Sequence, residues 1–214
     1  MMNRVPQYES RHSVQSARPG FVLLWVIVAI PAIVFLMGAV VDISRVWIAR
    51  IELTNALEAA ALSGVKTWGE AGTNDSGARA NARGDAVIAA AANTVIGQHP
   101  YADSPNPTSP AEAVVVTLDP NGENGGANGN TLSTGELVLG QLTPSGSGFS
   151  FNANTVPGQN EFGVRAYKTM RIYSIWKPMF GIPLGPYTIT ADAVALYDDT
   201  NGQPRIVHVV SYTP

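Results

Sequence analysis

Residues 21–41 read FVLLWVIVAIPAIVFLMGAVV, twenty-one positions without a charged or strongly polar side chain. As a helix rising about 1.5 Å per residue, the run is roughly 31 Å long, which matches the hydrocarbon thickness of a bilayer. Core helices of soluble proteins rarely run that far without a polar residue, so the sequence predicts a membrane-spanning helix over 21–41. Pro31 falls near its middle. A proline there removes one backbone N–H, a loss that transmembrane helices tolerate. The rival reading is a cleaved secretory signal, whose apolar region is about 7–15 residues and ends in small residues. Met37-Gly38-Ala39 is a poor ending of that kind, and a retained anchor is the expectation.

The flanking charges orient the span. Arg4, Arg11 and Arg18 precede it against Glu9, whereas Arg45 and Arg50 come after it among Asp42, Glu52 and Glu58. The cationic excess on the N-terminal side predicts a cytoplasmic tail (1–20) and an extracytoplasmic remainder on a single-pass anchor. Asp42 and Arg45 are three residues apart on one helical face. If exposed, such a pair contributes only a few tenths of a kcal/mol. It reads as a membrane-boundary marker, ahead of the sharper reading of an inter-subunit contact.

The helical pattern continues through DISRVWIARIELTNALEAAALSGVKTW (42–68), with Ile43, Trp47, Ile51, Leu57, Ala61 and Val65 as its apolar positions. Ala56, Ala59, Ala60, Ser63 and Gly64 make a thin face suited to close helix packing. Two readings of that face stand together: contact with another helix or another copy of the chain, and packing on the chain's own domain. Residues 21–68 are therefore expected to form one helix, with 42–68 as its extracytoplasmic extension. GEAGTND (69–75) breaks it. Asn74 or Asp75 can cap a second helix over about 76–96 with Gly97 as its stop, and the proline-rich HPYADSPNPTSP (99–110) completes a connecting region of 69–110.

From 111 to 214 the signal is strand. AVVVTL (113–118), GELVLGQL (135–142), EFGVRAYKTMRIYSI (161–175), YTITADAVALYD (187–198) and RIVHVVSY (205–212) are short apolar or alternating runs, several of them rich in β-branched and aromatic residues. The fold class is α+β: a long helix, a second helix and an antiparallel β-sheet domain.

Chemistry is sparse. The chain has 214 residues, a formal net charge of −3 and no cysteine. Disulfides and thiol chemistry are excluded, and no basic field invites nucleic acid. His12, His99 and His208 lack ligand spacing. No enzymatic constellation emerges, and neither a cofactor nor a metal is expected. The loop holding Asp119, Asn121, Glu123, Asn124, Asn128 and Asn130 offers oxygen ligands of the kind Ca²⁺ takes, but its Asn-Gly pairs read first as solvated turns.

The anchor and its helical extension resemble TadE/TadG-like proteins of bacterial Flp (Tad) pilus systems. Those chains carry an apolar helix with a central proline, then an aspartate, an aromatic position and a small-residue segment. Asp42, Trp47, Leu53, Asn55, Ala56, Glu58, Ala59, Ala60, Ala61, Leu62, Ser63 and Gly64 fall on that pattern, with Glu58 where an Asp is usual. LVLGQL, FSF, FGVRAYKTM and FGIPLGPYTITADAVALY keep the order of strands in TadG-related proteins. The chain is similar to a short form without a von Willebrand A domain, since no DxSxS metal motif is present.

The resemblance implies a structural or assembly component of a Tad-type pilus or secretion apparatus. Its partners would be the lipid bilayer and other Tad components or copies of itself through the long helix. Processing after Gly20, giving a mature Phe21 terminus and a minor pilin, is the alternative within this class. Trp25 departs from it, because pseudopilins carry a glutamate at that fifth mature position. Outside the class stands an envelope-anchored domain that binds carbohydrate or protein.

Overall fold

The computed structural model describes residues 19–98, 112–119, 135–153, 157–158, 161–174, 176 and 185–213. The chain divides into two compact units, Met1–Val40 and Val41–Pro214.

Helix α1 spans Pro19–Ala71 without interruption and contains Pro31. Proline at its first position is favourable, because the missing N–H is one that no helical carbonyl would meet. The second unit begins inside this helix. Within it, Ala49, Leu53, Ala56, Leu57, Ala60, Ala61, Val65 and Trp68 are fully buried. Their steps of three, four and one describe a single apolar stripe. The expected positions Leu57, Ala61 and Val65 lie on that stripe, but Ile43, Trp47 and Ile51 are exposed. Leu53, not Ile51, continues the buried line. The buried line begins at Asp42 and runs through Val46 and Ala49 to Leu53, which leaves Ile43, Trp47 and Ile51 on the outward side.

Helix α2 (Ser76–Ala91) starts at Asp75, whose Oδ1 accepts the Ala78 N–H at 2.8 Å. That hydrogen bond, with a second from Thr73 Oγ1, holds the Asp75 carboxyl below its usual range. The helix ends at Ala91, earlier than the expected 96, with Ala92 as its C-cap. Asn93 turns its side-chain amide back onto the Ala89 carbonyl, and the β-branched Thr94 and Val95 pass into strand β1. Strand β1 (Thr94–Gln98) pairs antiparallel with β2 (Glu112–Val115). The buried face of α2 is an alanine row, Ala78, Ala82, Ala86 and Ala90. It meets α1 closely: a Cβ on Gly64 would lie 3.1 Å from both the Ala82 carbonyl oxygen and the Ala86 Cβ.

The remaining strands are β3 (Leu137–Ser145), β4 (Gly148–Asn152), β5 (Phe162–Ile172), β6 (Tyr187–Asp198), β7 (Gln203–Ile206) and β8 (Val209–Thr213). They form one sheet in the order β7-β6-β5-β3-β4-β8. The longest pairing is β5 with β6, from Gly163 opposite Leu196 to Ile172 opposite Tyr187. Alternation sorts the side chains by face. Val164, Ala166, Met170, Ala191, Ala193, Ala195 and Tyr197 join the core beneath α1, while Val138, Leu142, Phe151, Val194 and Leu196 form a second cluster on the other face.

One feature departs from the expected antiparallel sheet, because β4 and β8 run parallel. The reason is closure. Strands β7 and β8 occupy opposite edges yet are separated only by Val207 and His208. Val207 donates to the Val194 carbonyl of β6, and the His208 carbonyl accepts from Phe149 of β4. A single kinked segment thus joins both edges, and the sheet closes on itself around the second cluster, as small barrels do. Gly140 and Gly163 face each other across β3 and β5. A Cβ on Gly163 would meet Leu142, and one on Gly140 would meet Phe151 and the Asn152 carbonyl. The glycines make room for the larger residues that fill the interior.

Across this closed sheet, Tyr212 of β8 donates from its hydroxyl to Asp192 of β6 at 2.9 Å. The Arg165 guanidinium lies over the Tyr212 ring at 4.4 Å. Burial first, and then the hydrogen bond to Asp192, push the Tyr212 phenol up to about 12. Because the folded value exceeds the unfolded one of about 10, the neutral phenol's contribution to stability is complete below pH 10 and is lost as pH rises toward 12. Thermal denaturation across that range should show falling stability in the native chain. Tyr212→Phe should be less sensitive to pH there, and equal alkaline sensitivity in both proteins would contradict the assignment.

Candidate membrane anchor and helix interface

The first unit contributes the first half of α1. From Val22 to Val41 every large apolar side chain is exposed. No acidic, basic or amide side chain interrupts the run. An exposed apolar cylinder of this length is far beyond the patch sizes that soluble monomers carry. A helix satisfies its own backbone hydrogen bonds, so it is one of the two structures that can cross a bilayer. This is the single helix among the described residues that is long and apolar enough to span a membrane. Gly20 lies in its first turn beside Phe21.

Within the second unit, the small residues of α1 divide. Ala56, Ala60 and Gly64 are buried in the chain's own core, whereas Ala59 and Ser63 are half-buried. Of the two readings of the thin face, internal packing accounts for the first three. Gly69 extends the effect one turn further, since a Cβ there would run into the Tyr197 ring. Trp68 sits beside it, edge-on to Phe162 at 5.0 Å and donating its indole N–H to the Thr73 carbonyl at 3.2 Å. Thr67 Oγ1 donates to Asp85 of α2 at 2.5 Å. Glu52 accepts the Ile96 N–H of β1 at 2.7 Å.

Asp42 makes a contact inside the folded unit that the boundary-marker reading does not include. It is only 4% exposed, and Ser174 Oγ, just beyond β5, donates to its Oδ2. Ser174 Oγ in turn accepts the Trp176 N–H at 3.1 Å, and both Ser174 and Trp176 are buried. A buried carboxylate needs donors to offset its lost hydration. The sequence places Asp42 at the end of the apolar run but carries no signal for a serine 132 residues away as its partner. Arg45, its expected partner, is half-buried. Beside Asp42 opens a groove of about 500 Å³, lined by Ile43, Val46, Trp47 and Arg50 of α1 and by Tyr187–Thr190 of β6.

The loop considered for Ca²⁺ lies outside the described residues except for Asp119, whose N–H meets Glu136 Oε2 at 2.7 Å. Among the described residues no three His, Asp or Glu side chains are grouped for a metal. Of the histidines, only His208 is described, and it is exposed.

An apolar helix of membrane-spanning length that runs on into a helix pair packed on a closed sheet defines the class: an α+β domain with a candidate single-pass anchor. Within that class, residues 20–93 match the family model described as Putative Flp pilus-assembly TadE/G-like. The match begins in the first turn of α1 and ends two residues after α2. It therefore covers the helical pair and stops before the strands. No curated protein and no solved structure matches the chain.

Removing the Ser174 hydroxyl leaves the buried Asp42 carboxylate short of a donor. Ser174→Ala should destabilise the chain by about 1–3 kcal/mol. In a double-mutant cycle with Asp42→Ala, coupling of at least about 0.5 kcal/mol is expected. Additive effects in chemical denaturation would show that the contact contributes nothing.

Proposed function

We propose that the chain is a membrane-anchored scaffold of a Tad-type pilus or secretion apparatus. In this reading residues 1–20 stay in the cytoplasm, 21–41 cross the inner membrane, and 42–214 stand in the periplasm and present surface to other components. Three parts would come after the anchor: the helix extension (42–68), the second helix with its connection (69–110) and the strand-rich part (111–214).

The observation that carries the reading is the division of labour along α1. Its first half is apolar and exposed, and its second half supplies a fully buried stripe to the folded domain. A scaffold needs both, since a helix shared between lipid and domain fixes where the domain begins relative to the bilayer. The pilus-assembly family match over the same helices supports the context. The cationic excess before the span supports the orientation.

Alkaline phosphatase fused after Pro214 should be active in cells and remain with the membrane fraction after carbonate extraction. Val34→Arg, placed mid-span, should cost about 2.5–3.5 kcal/mol of insertion and shift the fusion toward the soluble fraction. Full-length mass consistent with an uncleaved Gly20-Phe21 bond is expected. An inactive fusion would overturn the orientation, and a mature chain starting at Phe21 would overturn the scaffold in favour of a processed minor pilin.

A further inference from the structure

We propose that the groove between α1 and the start of β6 seats the headgroup and upper acyl carbons of one phospholipid from the surrounding bilayer leaflet. The proposal rests on the membrane-anchor reading and adds a specific lipid site to it.

The groove begins at Asp42, the residue directly after the apolar span. Along α1 its lining runs Ile43, Val46, Trp47 and Arg50, steps of three, one and three that keep one face. After Asp42 the order is apolar first and cationic last, which is the order of acyl carbons and phosphate in a lipid read outward from the bilayer. At about 1.5 Å per residue, Trp47 lies about 7.5 Å and Arg50 about 12 Å beyond Asp42 along the axis. The headgroup layer extends roughly 5–7 Å past the hydrocarbon on each side. Helical side chains lean back toward the N-terminus, so both residues reach toward that layer.

Exposure agrees with this placement. Ile43 is 71% and Trp47 65% exposed, among the most exposed large apolar side chains of their unit. Tryptophan and tyrosine concentrate at the membrane interface because one part of each ring system is apolar and another is polar. Here Trp47 and Tyr187 come from different elements and line the same groove. Thr188 and Thr190 add hydroxyls to its β6 wall, suited to glycerol and phosphate oxygens.

Charge complements the ligand. Of the acids near this end of α1, Asp42 is held inward by Ser174 and Glu52 by the Ile96 N–H. Arg50 is exposed and lines the groove. The two charged lining residues are thus separated, Asp42 at the inner end and Arg50 at the outer end, where an anionic phosphate would lie. A volume of about 500 Å³ is within the usual range of small-ligand sites.

The native chain lacks cysteine, so single-cysteine variants can be spin-labelled cleanly. The full chain would be placed in nanodiscs of phosphatidylethanolamine and phosphatidylglycerol. Labels at Tyr187→Cys and Thr188→Cys test the groove, Ile33→Cys the span and Ile88→Cys the exposed face of α2. Collisions with oxygen and with a water-soluble nickel chelate report depth. The proposal expects oxygen to dominate at 33 and at 187 or 188, and the chelate to dominate at 88. Native mass spectrometry should also show Arg50→Gln retaining phosphatidylglycerol about fivefold less than the parent, the effect of one surface cation.

If 187 and 188 both behave like 88 while 33 reads lipid, the groove proposal fails and the anchor stands. If 33 also reads water, the anchor reading fails with it. Labels at 187 and 188 shielded from both probes would place protein in the groove and overturn the lipid assignment.

Discussion

One helix must satisfy two solvents. Helix α1 is continuous from Pro19 to Ala71, yet its two halves answer to different rules. In the first, apolar side chains face outward, as the lipid of the proposed span would require. In the second, the same kind of side chain turns inward to form a stripe against α2 and the sheet. The inward face begins at Asp42, directly after the exposed Val41, and the residues around that transition constrain the rest of the chain.

Asp42 marks the transition chemically. A charged group cannot enter the hydrocarbon cheaply, so in the proposed anchor it would limit how far α1 can slide toward the lipid. Its burial against Ser174 and the Trp176 backbone ties the same point of the helix to the segment after β5. Further along, close packing takes over. Gly64 and the alanines of α2 allow near contact, and Gly69 leaves room for Tyr197. Such tight surfaces gain dispersion contacts but tolerate little added volume. The sheet adds its own constraint by closing through the β7–β8 segment, so that its edges are joined rather than left open to other chains.

The apolar run, the long helix, α2 and the central strands are legible in the sequence because each rests on local pattern. Twenty-one uncharged residues define a length, and the alternating β6 segment has the same bounds in sequence and structure, Tyr187–Asp198. The phase of α1 is less legible: Ile43, Trp47 and Ile51 fit helical spacing as well as the buried set does, and only the position of the sheet decides between them. Strand β8 pairing parallel with β4, and Ser174 meeting Asp42, depend on contacts distant in sequence, for which periodicity carries no information. The end of α2 is misplaced by pattern alone because AVIAAAANTVI favours helix by composition, while pairing with β2 draws Thr94 and Val95 into a strand.

The central claim is that α1 is one uninterrupted helix shared by bilayer and domain. Hydrogen–deuterium exchange of the full chain in lipid nanodiscs tests it most directly. The account predicts a single protected block from about Val22 through Trp68, with no fast-exchanging gap where the environment changes. Rapid exchange confined to residues 41–48, between two protected segments, would mean two helices joined by a hinge and would contradict it.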